Sequence, residues 1–362
     1  MKIGIDGRPF QGKLTGIGRY TLELCRELNS LLPDAEFYVY SHVPINLPVN
    51  SKNWFLRLDP NPFAKYLKPV VWLKTRCGKL CKSDDLDIFW ASGSFFPFLG
   101  KKVKRILTVY DLNYKLAPET MSIFNRFSFF LFFKKDLLKS DAVLSISKGT
   151  SDRLKEYFGI EANAIIPPAV SSIFRPQPEE AIKRCLNKYK ISSPYFLSLG
   201  TWEPRKNFEL LIKAFIEFKN ENPSDPTKLL LIGGKGWKTK EFAKLTKNIS
   251  KNYILHLGYI QDVDLPMFYS GATAFIFPSK YEGFGIPVLE AANCGTNVIA
   301  TDLPELREAG GELPIYISPT KEGIKRGILQ ALNSEFMHSR SGKHYPQFSW
   351  KENAKIFYQM FF

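Results

Sequence analysis

The run Pro278-Ser279-Lys280-Tyr281-Glu282-Gly283-Phe284-Gly285-Ile286-Pro287-Val288-Leu289-Glu290-Ala291 decides how this chain is read. Just before it, Ala274-Phe275-Ile276-Phe277 is a short apolar run that reads as a buried strand. Two glycines follow in the loop. Pro287 then suits the first turn of a helix, where its missing N–H costs nothing. Strand, glycine loop and helix start together leave backbone N–H groups free to point at one anion. Glu282 precedes the helix and Glu290 lies inside it. The two carboxylates can address different parts of one ligand, which points to a ligand with hydroxyls as well as phosphate.

The same grammar recurs upstream. Residues 195–199 read as a core strand that runs into Gly200-Thr201-Trp202-Glu203-Pro204-Arg205-Lys206-Asn207, and a helix is expected from Phe208 to about Lys219. At such a junction Arg205 and Lys206 can clamp a diphosphate, Arg with a planar fork and Lys with a point charge. A solvated basic turn is the plainer alternative. Further strands are expected at 229–232, leading into Gly233-Gly234-Lys235-Gly236-Trp237, and at 254–257, ending in Gly258-Tyr259-Ile260. Two more are read at 297–300 and 313–317, with helical residues at 320–333 and 349–362.

The first half repeats the alternation. Strands are read at 3–6, 37–40, 53–58, 86–91, 103–109, 142–146 and 164–168. After the first comes Gly16-Ile17-Gly18-Arg19-Tyr20, read as a glycine loop ahead of a helix that ends before Pro33. The strand at 103–109 delivers Tyr110 and Asp111 to its carboxyl end, where an open α/β sheet binds its ligand. Asp111 could instead cap the following turn. Strand–helix alternation in both halves implies two doubly wound parallel-sheet domains with a cleft between them. Pro176 and Pro178 mark the boundary, giving domains of residues 1–175 and 176–348.

Composition narrows the partners. The chain has 362 residues, enough for two cores, and a formal net charge of +15. Residues 1–175 hold 26 Lys and Arg against 16 Asp and Glu, so the first half carries most of the excess. The basic residues interleave with Phe runs and match no nucleic-acid motif, so an anionic lipid surface or phosphorylated substrate is expected and no nucleic acid. Residues 121–139 contain a Phe-rich helix ending in Lys134, Lys135 and Lys139. It reads either as a packed helix or as a surface that dips into a membrane. No run reaches the length of a spanning helix, and no secretory leader is read at the N-terminus. Five scattered cysteines argue for a reduced, cytoplasmic compartment. Asp84-Asp85-Leu86-Asp87 precedes a strand rather than following one, so it reads as a solvated turn and no metal is expected.

Taken together, Gly-Ile-Gly-Arg-Tyr at 16–20, Glu-Pro-Arg-Lys-Asn at 203–207 and Glu-Gly-Phe-Gly-Ile-Pro-Val-Leu-Glu at 282–290 resemble the retaining nucleotide-sugar glycosyltransferases of GT-B architecture. The chain is most similar to the lipopolysaccharide and O-antigen mannosyltransferase group. The resemblance runs over nearly the whole chain and includes Ser147, Ile166-Pro167-Pro168-Ala169-Val170 and Phe348-Ser349-Trp350. It implies two Rossmann-like domains facing a cleft, an acceptor-binding one at 1–175 and a donor-binding one at 176–348, with residues 349–362 crossing back onto the first.

The implied reaction moves a hexose, mannose among the options, from GDP-mannose or a UDP-hexose to a lipid-linked or cell-surface polysaccharide acceptor. The nucleotide-sugar is a substrate, and no cofactor is implied. The enzyme would be cytoplasmic and peripheral at the inner face of the plasma membrane, against anionic lipid. By the same resemblance Gly16 and Gly18 let backbone approach the donor diphosphate, and Arg205 and Lys206 neutralise it as it leaves. Glu282, Gly283, Phe284 and Gly285 hold the donor sugar, Glu290 binds the ribose, and Gly258 to Ile260 lie beside the base. Where the family has His-Asp, this chain has Tyr110-Asp111, which take over contacts to the sugar. The histidines, His42, His256, His338 and His344, fall outside the motifs. Rival readings with this architecture are a nucleotide-sugar-binding protein without transferase activity and a nucleotide-sugar epimerase.

Overall fold

The computed structural model describes residues 1–234, 253–333 and 345–362. The chain forms two compact units, Met1–Ala169 with Phe348–Phe362, and Val170–Gln347.

The first unit holds β1 (Lys2–Asp6), β2 (Glu36–Ser41), β3 (Trp54–Leu58), β4 (Ile88–Ala91), β5 (Lys104–Val109), β6 (Ala142–Ser145) and β7 (Ala164–Ile165). They pair in parallel in the order β3-β2-β1-β4-β5-β6-β7. Parallel neighbours need crossover connections, which is why helices alternate with these strands. The order reverses between β1 and β4, so the ligand crevice of such a sheet opens there. The helix Trp350–Gln359 also belongs to this unit. Trp350 meets Tyr20 edge-on at 5.5 Å, and Phe357 meets Trp90 at 4.8 Å. Ser349 caps the helix by accepting from the Glu352 N–H.

The second unit holds β8 (Tyr195–Leu199), β9 (Lys228–Ile232), β10 (Ile254–Gly258), β11 (Ala274–Phe277), β12 (Val298–Thr301) and β13 (Ile315–Ile317). Their order is β10-β9-β8-β11-β12-β13, again all parallel. All four residues of β11 are buried, as a strand covered on both faces requires. The sheet packs on the helices Phe208–Glu221 and Lys321–Leu332 through Phe196, Leu211, Phe215, Ile299 and Ile328.

One local reading changes. Gly16 and Gly18 are not in a loop: the helix Gly16–Leu31 begins at Gly16, so both glycines sit in its first turn. A Cβ on Gly18 would lie 2.5 Å from the Pro9 carbonyl oxygen, so that glycine accommodates the protein's own backbone. Residues 69–84 form one helical run, with Leu73–Cys77 wound as a π turn. The helix Pro304–Gly310 lacked a periodic apolar signal, being only seven residues long. Of the other sequence readings, residues 235–237, His338 and His344 lie outside the described residues.

The Phe-rich segment folds as one helical run, Ile123–Ser128, Phe129–Phe133 and Lys134–Leu138, whose middle is also a π turn. Phe133 and Leu137 enter the core, while Ile123, Phe127, Phe130 and Leu138 face outward. One face of this helix therefore packs into the core, and the other leaves apolar side chains exposed. Among the described residues no helix is long and apolar enough to cross a membrane.

Candidate functional site

In the second unit the order reverses between β8 and β11, which are hydrogen-bonded neighbours. The loops that leave their carboxyl ends therefore start side by side. After β8, Pro204–Lys206 forms a single 3-10 turn. It ends at Asn207 in a left-handed conformation (φ 59°), and the Asn207 amide donates to Pro319 O at 3.2 Å. This turn aims Arg205 and Lys206 at the loop after β11. The Lys280 N–H donates to Arg205 O at 2.8 Å and joins the two loops.

Glu282 stands between the two cations and is only 7% exposed. Lys206 Nζ donates to Glu282 Oε1 at 2.7 Å, and Arg205 Nη1 lies 2.6 Å from Oε2. Arg205 also reaches Tyr281 O at 3.2 Å and Glu203 Oε2 at 3.4 Å. Lys206 Nζ sits 4.6 Å over the Phe277 ring, a further favourable contact for a buried ammonium. Burial pushes the Glu282 carboxyl up, but the Arg205 and Lys206 charges outweigh it and hold the group at about 2. Burial pushes the Lys206 ammonium down, against the pull of Glu282.

Gly285 is left-handed (φ 110°) and precedes the helix Ile286–Asn293. A Cβ there would meet Leu306 Cδ2 at 2.5 Å, so glycine is required for both conformation and packing. Gly283 lies in the same loop, and Phe284 is buried. Glu290 is buried one turn into the helix, and Tyr269 Oη donates to its Oε2 at 2.9 Å. Gly258 (φ 71°) ends β10 on the same edge of the sheet, with Ile260 buried just beyond it. The Gly233 N–H donates to Gly258 O at 2.7 Å. The structure thus brings Arg205, Lys206 and Glu282 into contact, and places Gly258, Ile260, Gly283, Phe284, Gly285 and Glu290 on the same edge of one sheet.

Gly16, Gly18, Tyr110 and Asp111 belong to the first unit. Tyr110 was read as a contact to the sugar, but its side chain is buried. Its hydroxyl donates to Ser92 O at 2.9 Å and lies 3.4 Å from Thr21 Oγ1. Burial pushes this phenol well above its ordinary range. Asp111 is half-buried and accepts from the Asn113 N–H at 2.9 Å, so it makes the turn that was the alternative reading.

The sequence reading missed a pair at the reversal point of the first sheet. Asp6, at the end of β1, is fully buried and takes both Arg8 Nη2 (2.6 Å) and Arg8 Nε (2.9 Å). Arg8 reaches on to Gly93 O at 3.0 Å, beyond β4. A Cβ on Gly93 would meet Asp6 Oδ2 at 2.4 Å. The available signal was position alone, since Asp6-Gly7-Arg8 follows the first strand directly.

Among the described residues no group of three or more His, Cys, Asp or Glu side chains could hold a metal. In the acidic run Asp84 accepts from Tyr40 Oη (2.7 Å) and Arg57 Nε (2.9 Å), and Asp87 accepts from the Lys2 N–H (2.8 Å). Asp85 (φ 51°) ends the helix before β4.

Comparison with known proteins follows the same division. Residues 178–348 match the family Glycosyl transferases group 1, and residues 14–172 match Glycosyltransferase Family 4. O-antigen chain mannosyltransferase B of Escherichia coli is 29% identical over 97% of each chain. O-antigen chain mannosyltransferase RfbU of Salmonella typhimurium is 26% identical over 71% of this chain and 69% of its own. Among solved structures, sucrose-phosphate synthase from Thermosynechococcus elongatus superposes with a TM-score of 0.73 at 18% identity, over 100% of this chain and 98% of its own. WaaG, a glycosyltransferase involved in lipopolysaccharide biosynthesis, gives 0.71 at 16%, over 99% and 95%. With both parallel-sheet units matched in sequence and in fold, the chain carries a Glycosyltransferase Family 4 domain followed by a Glycosyl transferases group 1 domain, in the GT-B architecture of glycosyltransferases.

Proposed function

We propose that this chain is a retaining, metal-independent hexosyltransferase that moves mannose from a nucleotide-sugar to a lipid-linked or cell-surface polysaccharide acceptor. The observation that carries the reading is the convergence of Arg205 and Lys206 on Glu282 where the second sheet reverses its order. The second unit takes the donor. The donor diphosphate competes with Glu282 for the two cations, and the carboxylate is then free to accept from sugar hydroxyls. Glu290 serves the ribose, and Gly258 to Ile260 border the base.

In the reaction the bond from the anomeric carbon to the diphosphate oxygen breaks with oxocarbenium character. Negative charge grows on the departing diphosphate, where Arg205, Lys206 and the N–H groups of Gly283 to Gly285 stabilise it. The acceptor hydroxyl attacks from the face the diphosphate leaves, and its proton passes to a phosphate oxygen. No histidine is needed for that transfer. The mannosyl choice and the polysaccharide acceptor are supported by the names of the O-antigen chain mannosyltransferase relatives.

The test is transfer of labelled sugar from GDP-mannose and from UDP-hexoses to a lipid-linked acceptor extract, with the anomeric configuration of the product determined. Retained configuration, activity in the presence of a chelator and loss in Lys206→Ala support the reading. Interconversion of the donor sugar without an acceptor would replace it with an epimerase. Donor binding without turnover would leave a binding protein.

A further inference from the structure

Arg8 carries hydrogen-bonding capacity that the fold does not use. Its Nε and Nη2 are taken by Asp6, and Nη2 also donates to Gly93 O at 3.0 Å. Nη1 makes no hydrogen bond or ion pair among the described residues, although the side chain is only 9% exposed. The guanidinium is held from three sides. Asp6 is fully buried, a Cβ on Gly93 would meet Arg8 Nη2 at 2.8 Å, and the guanidinium carbon stands 5.5 Å from the centre of the Phe95 ring. Asp6 is itself anchored, because Ser92 Oγ donates to its backbone carbonyl at 2.8 Å. Arg8 therefore bridges the ends of β1 and β4, where the order of the first sheet reverses and a parallel sheet opens its ligand crevice.

Gln11 closes the 3-10 turn Arg8–Phe10, with its N–H donating to Arg8 O. Side chains three residues apart in such a turn stand on one side of it. The Gln11 amide is oriented by its neighbours. Ser41 Oγ donates to Val43 O at 2.6 Å, so it accepts from Gln11 Nε2 at 3.0 Å. Nε2 also lies 3.1 Å from His42 Nδ1, and burial pushes that imidazole down, toward the neutral form that accepts. Both amide N–H groups are thus spent. The carbonyl oxygen Oε1 has no hydrogen bond among the described residues.

The end of β1 therefore presents a spare double donor and a spare acceptor. Asp6 already balances the Arg8 charge, so the pair has little to offer an anion. A neutral donor–acceptor set suits adjacent sugar hydroxyls, each of which both accepts and donates. Donor and acceptor sugars share that chemistry. The cations, the glycine loop and the carboxylates that take the donor all belong to the second unit, which leaves this set to the acceptor.

We propose that Arg8 Nη1 and Gln11 Oε1 bind adjacent hydroxyls of the acceptor's terminal sugar, so that the acceptor is selected by its saccharide end. This rests on the transferase reading and on the donor lying in the second unit. Saccharide binding needs no turnover, so the two readings fail separately.

The test joins saturation-transfer NMR to steady-state transfer, with the methyl glycosides of mannose, galactose and N-acetylglucosamine as soluble probes. At least one glycoside is expected to bind wild type, whether or not the chain transfers sugar to it. Arg8→Lys keeps a counter-charge for Asp6 and lacks the spare nitrogen. It should weaken that binding, and raise KM for the same glycoside as acceptor, by roughly 10- to 100-fold, the worth of hydrogen bonds from a charged donor. KM for the nucleotide-sugar, and its slow hydrolysis by water without acceptor, should stay within about twofold of wild type. Gln11→Ala should weaken glycoside binding by roughly two- to tenfold. Arg26→Lys, exposed on the helix Gly16–Leu31, should behave as wild type. No glycoside binding to wild type, or binding unchanged in both Arg8→Lys and Gln11→Ala, overturns the site. A raised donor KM with unchanged glycoside binding gives the two residues to the donor sugar and overturns it equally. Thermal unfolding accompanies each variant. If Arg8→Lys does not fold, Gln11→Ala decides alone, since it leaves the Asp6 pair intact.

Discussion

Lys206 and Glu282 are 76 residues apart in sequence and 2.7 Å apart in space. The contact exists because β8 and β11 pair directly, although β9 and β10 lie between them in sequence. Arg205 closes on the other carboxylate oxygen at 2.6 Å, so two cations share one anion. A polyanionic leaving group can compete with Glu282 for both cations.

Glu282→Gln keeps the shape of the side chain and removes the charge. Lys206 and Arg205 are then left partly buried without their counter-charge. Breaking such a pair costs on the order of 3 kcal/mol, a fall in Tm of roughly 6–12 °C for a unit of this size. Turnover should fall about 100-fold, since the carboxylate no longer accepts from the sugar. Differential scanning calorimetry and labelled-sugar transfer read the two effects separately. An unchanged Tm would sink the ion-pair account.

The same carboxylate makes a pH prediction. Its folded value of about 2 lies below the ordinary carboxylate range, so its contribution is fully present above the unfolded value. It is lost as pH falls from about 4.5, the onset of unfolded-state protonation, toward about 2. Lys206 is displaced downward by burial; its cost lies on the acid side of its folded value and fades as pH rises to the ordinary lysine range. Asp59 is also held at about 2, chiefly by its hydrogen bond from Arg76, so wild type alone does not isolate the effect. Urea midpoints at pH 7 and pH 3 for wild type and Glu282→Gln do. The gap between the two proteins should shrink at pH 3, and a constant gap would show that Glu282 is not the group that titrates.

Much of this was legible in the sequence because the units are built from parallel sheets. A strand buried on both faces writes itself as an unbroken apolar run, so Ala274–Phe277 and Tyr195–Leu199 were found with their observed bounds. The loops after them therefore leave the carboxyl edge, where such sheets bind their ligands. What sequence could not carry was the inward or outward sense of single side chains. Tyr110 follows a strand as a site residue should, yet its ring turns inward to Ser92. Asp6 ends a strand and Arg8 follows it, and the reach of Arg8 to Gly93 O needed the β1–β4 neighbourhood to be seen. The glycines at 16 and 18 look alike in a motif and differ completely in space.

That difference is testable. Nothing lies within 4 Å of a Cβ built on Gly16, whereas on Gly18 it would meet the Pro9 backbone. Gly16→Ala should be neutral or stabilise the helix by up to ~1 kcal/mol. Gly18→Ala should destabilise by roughly 1–3 kcal/mol, because backbone must move. Urea unfolding distinguishes them. If Gly16 approaches the donor diphosphate, as the family resemblance implies, Gly16→Ala folds normally but raises KM for the nucleotide-sugar. An unchanged KM would remove Gly16 from the donor site.

Tyr110→Phe asks what replaces the family histidine. The phenol hydroxyl is buried, donates to Ser92 O at 2.9 Å and lies 3.4 Å from Thr21 Oγ1, while its ring packs edge-on against Tyr20 at 5.4 Å. Phe preserves the ring contact and removes one internal hydrogen bond, which costs about 1 kcal/mol, or a Tm lower by roughly 2–4 °C. A residue acting through Ser92 and the end of β4 leaves KM for the donor within about twofold. A residue that hydrogen-bonds the sugar raises KM or lowers kcat by about tenfold, the worth of one hydrogen bond in the transition state. The inward geometry predicts the first pattern, a stability loss with nearly intact kinetics. Steady-state kinetics with both donor and acceptor varied would reveal the second, and a tenfold loss at unchanged Tm would return Tyr110 to the substrate.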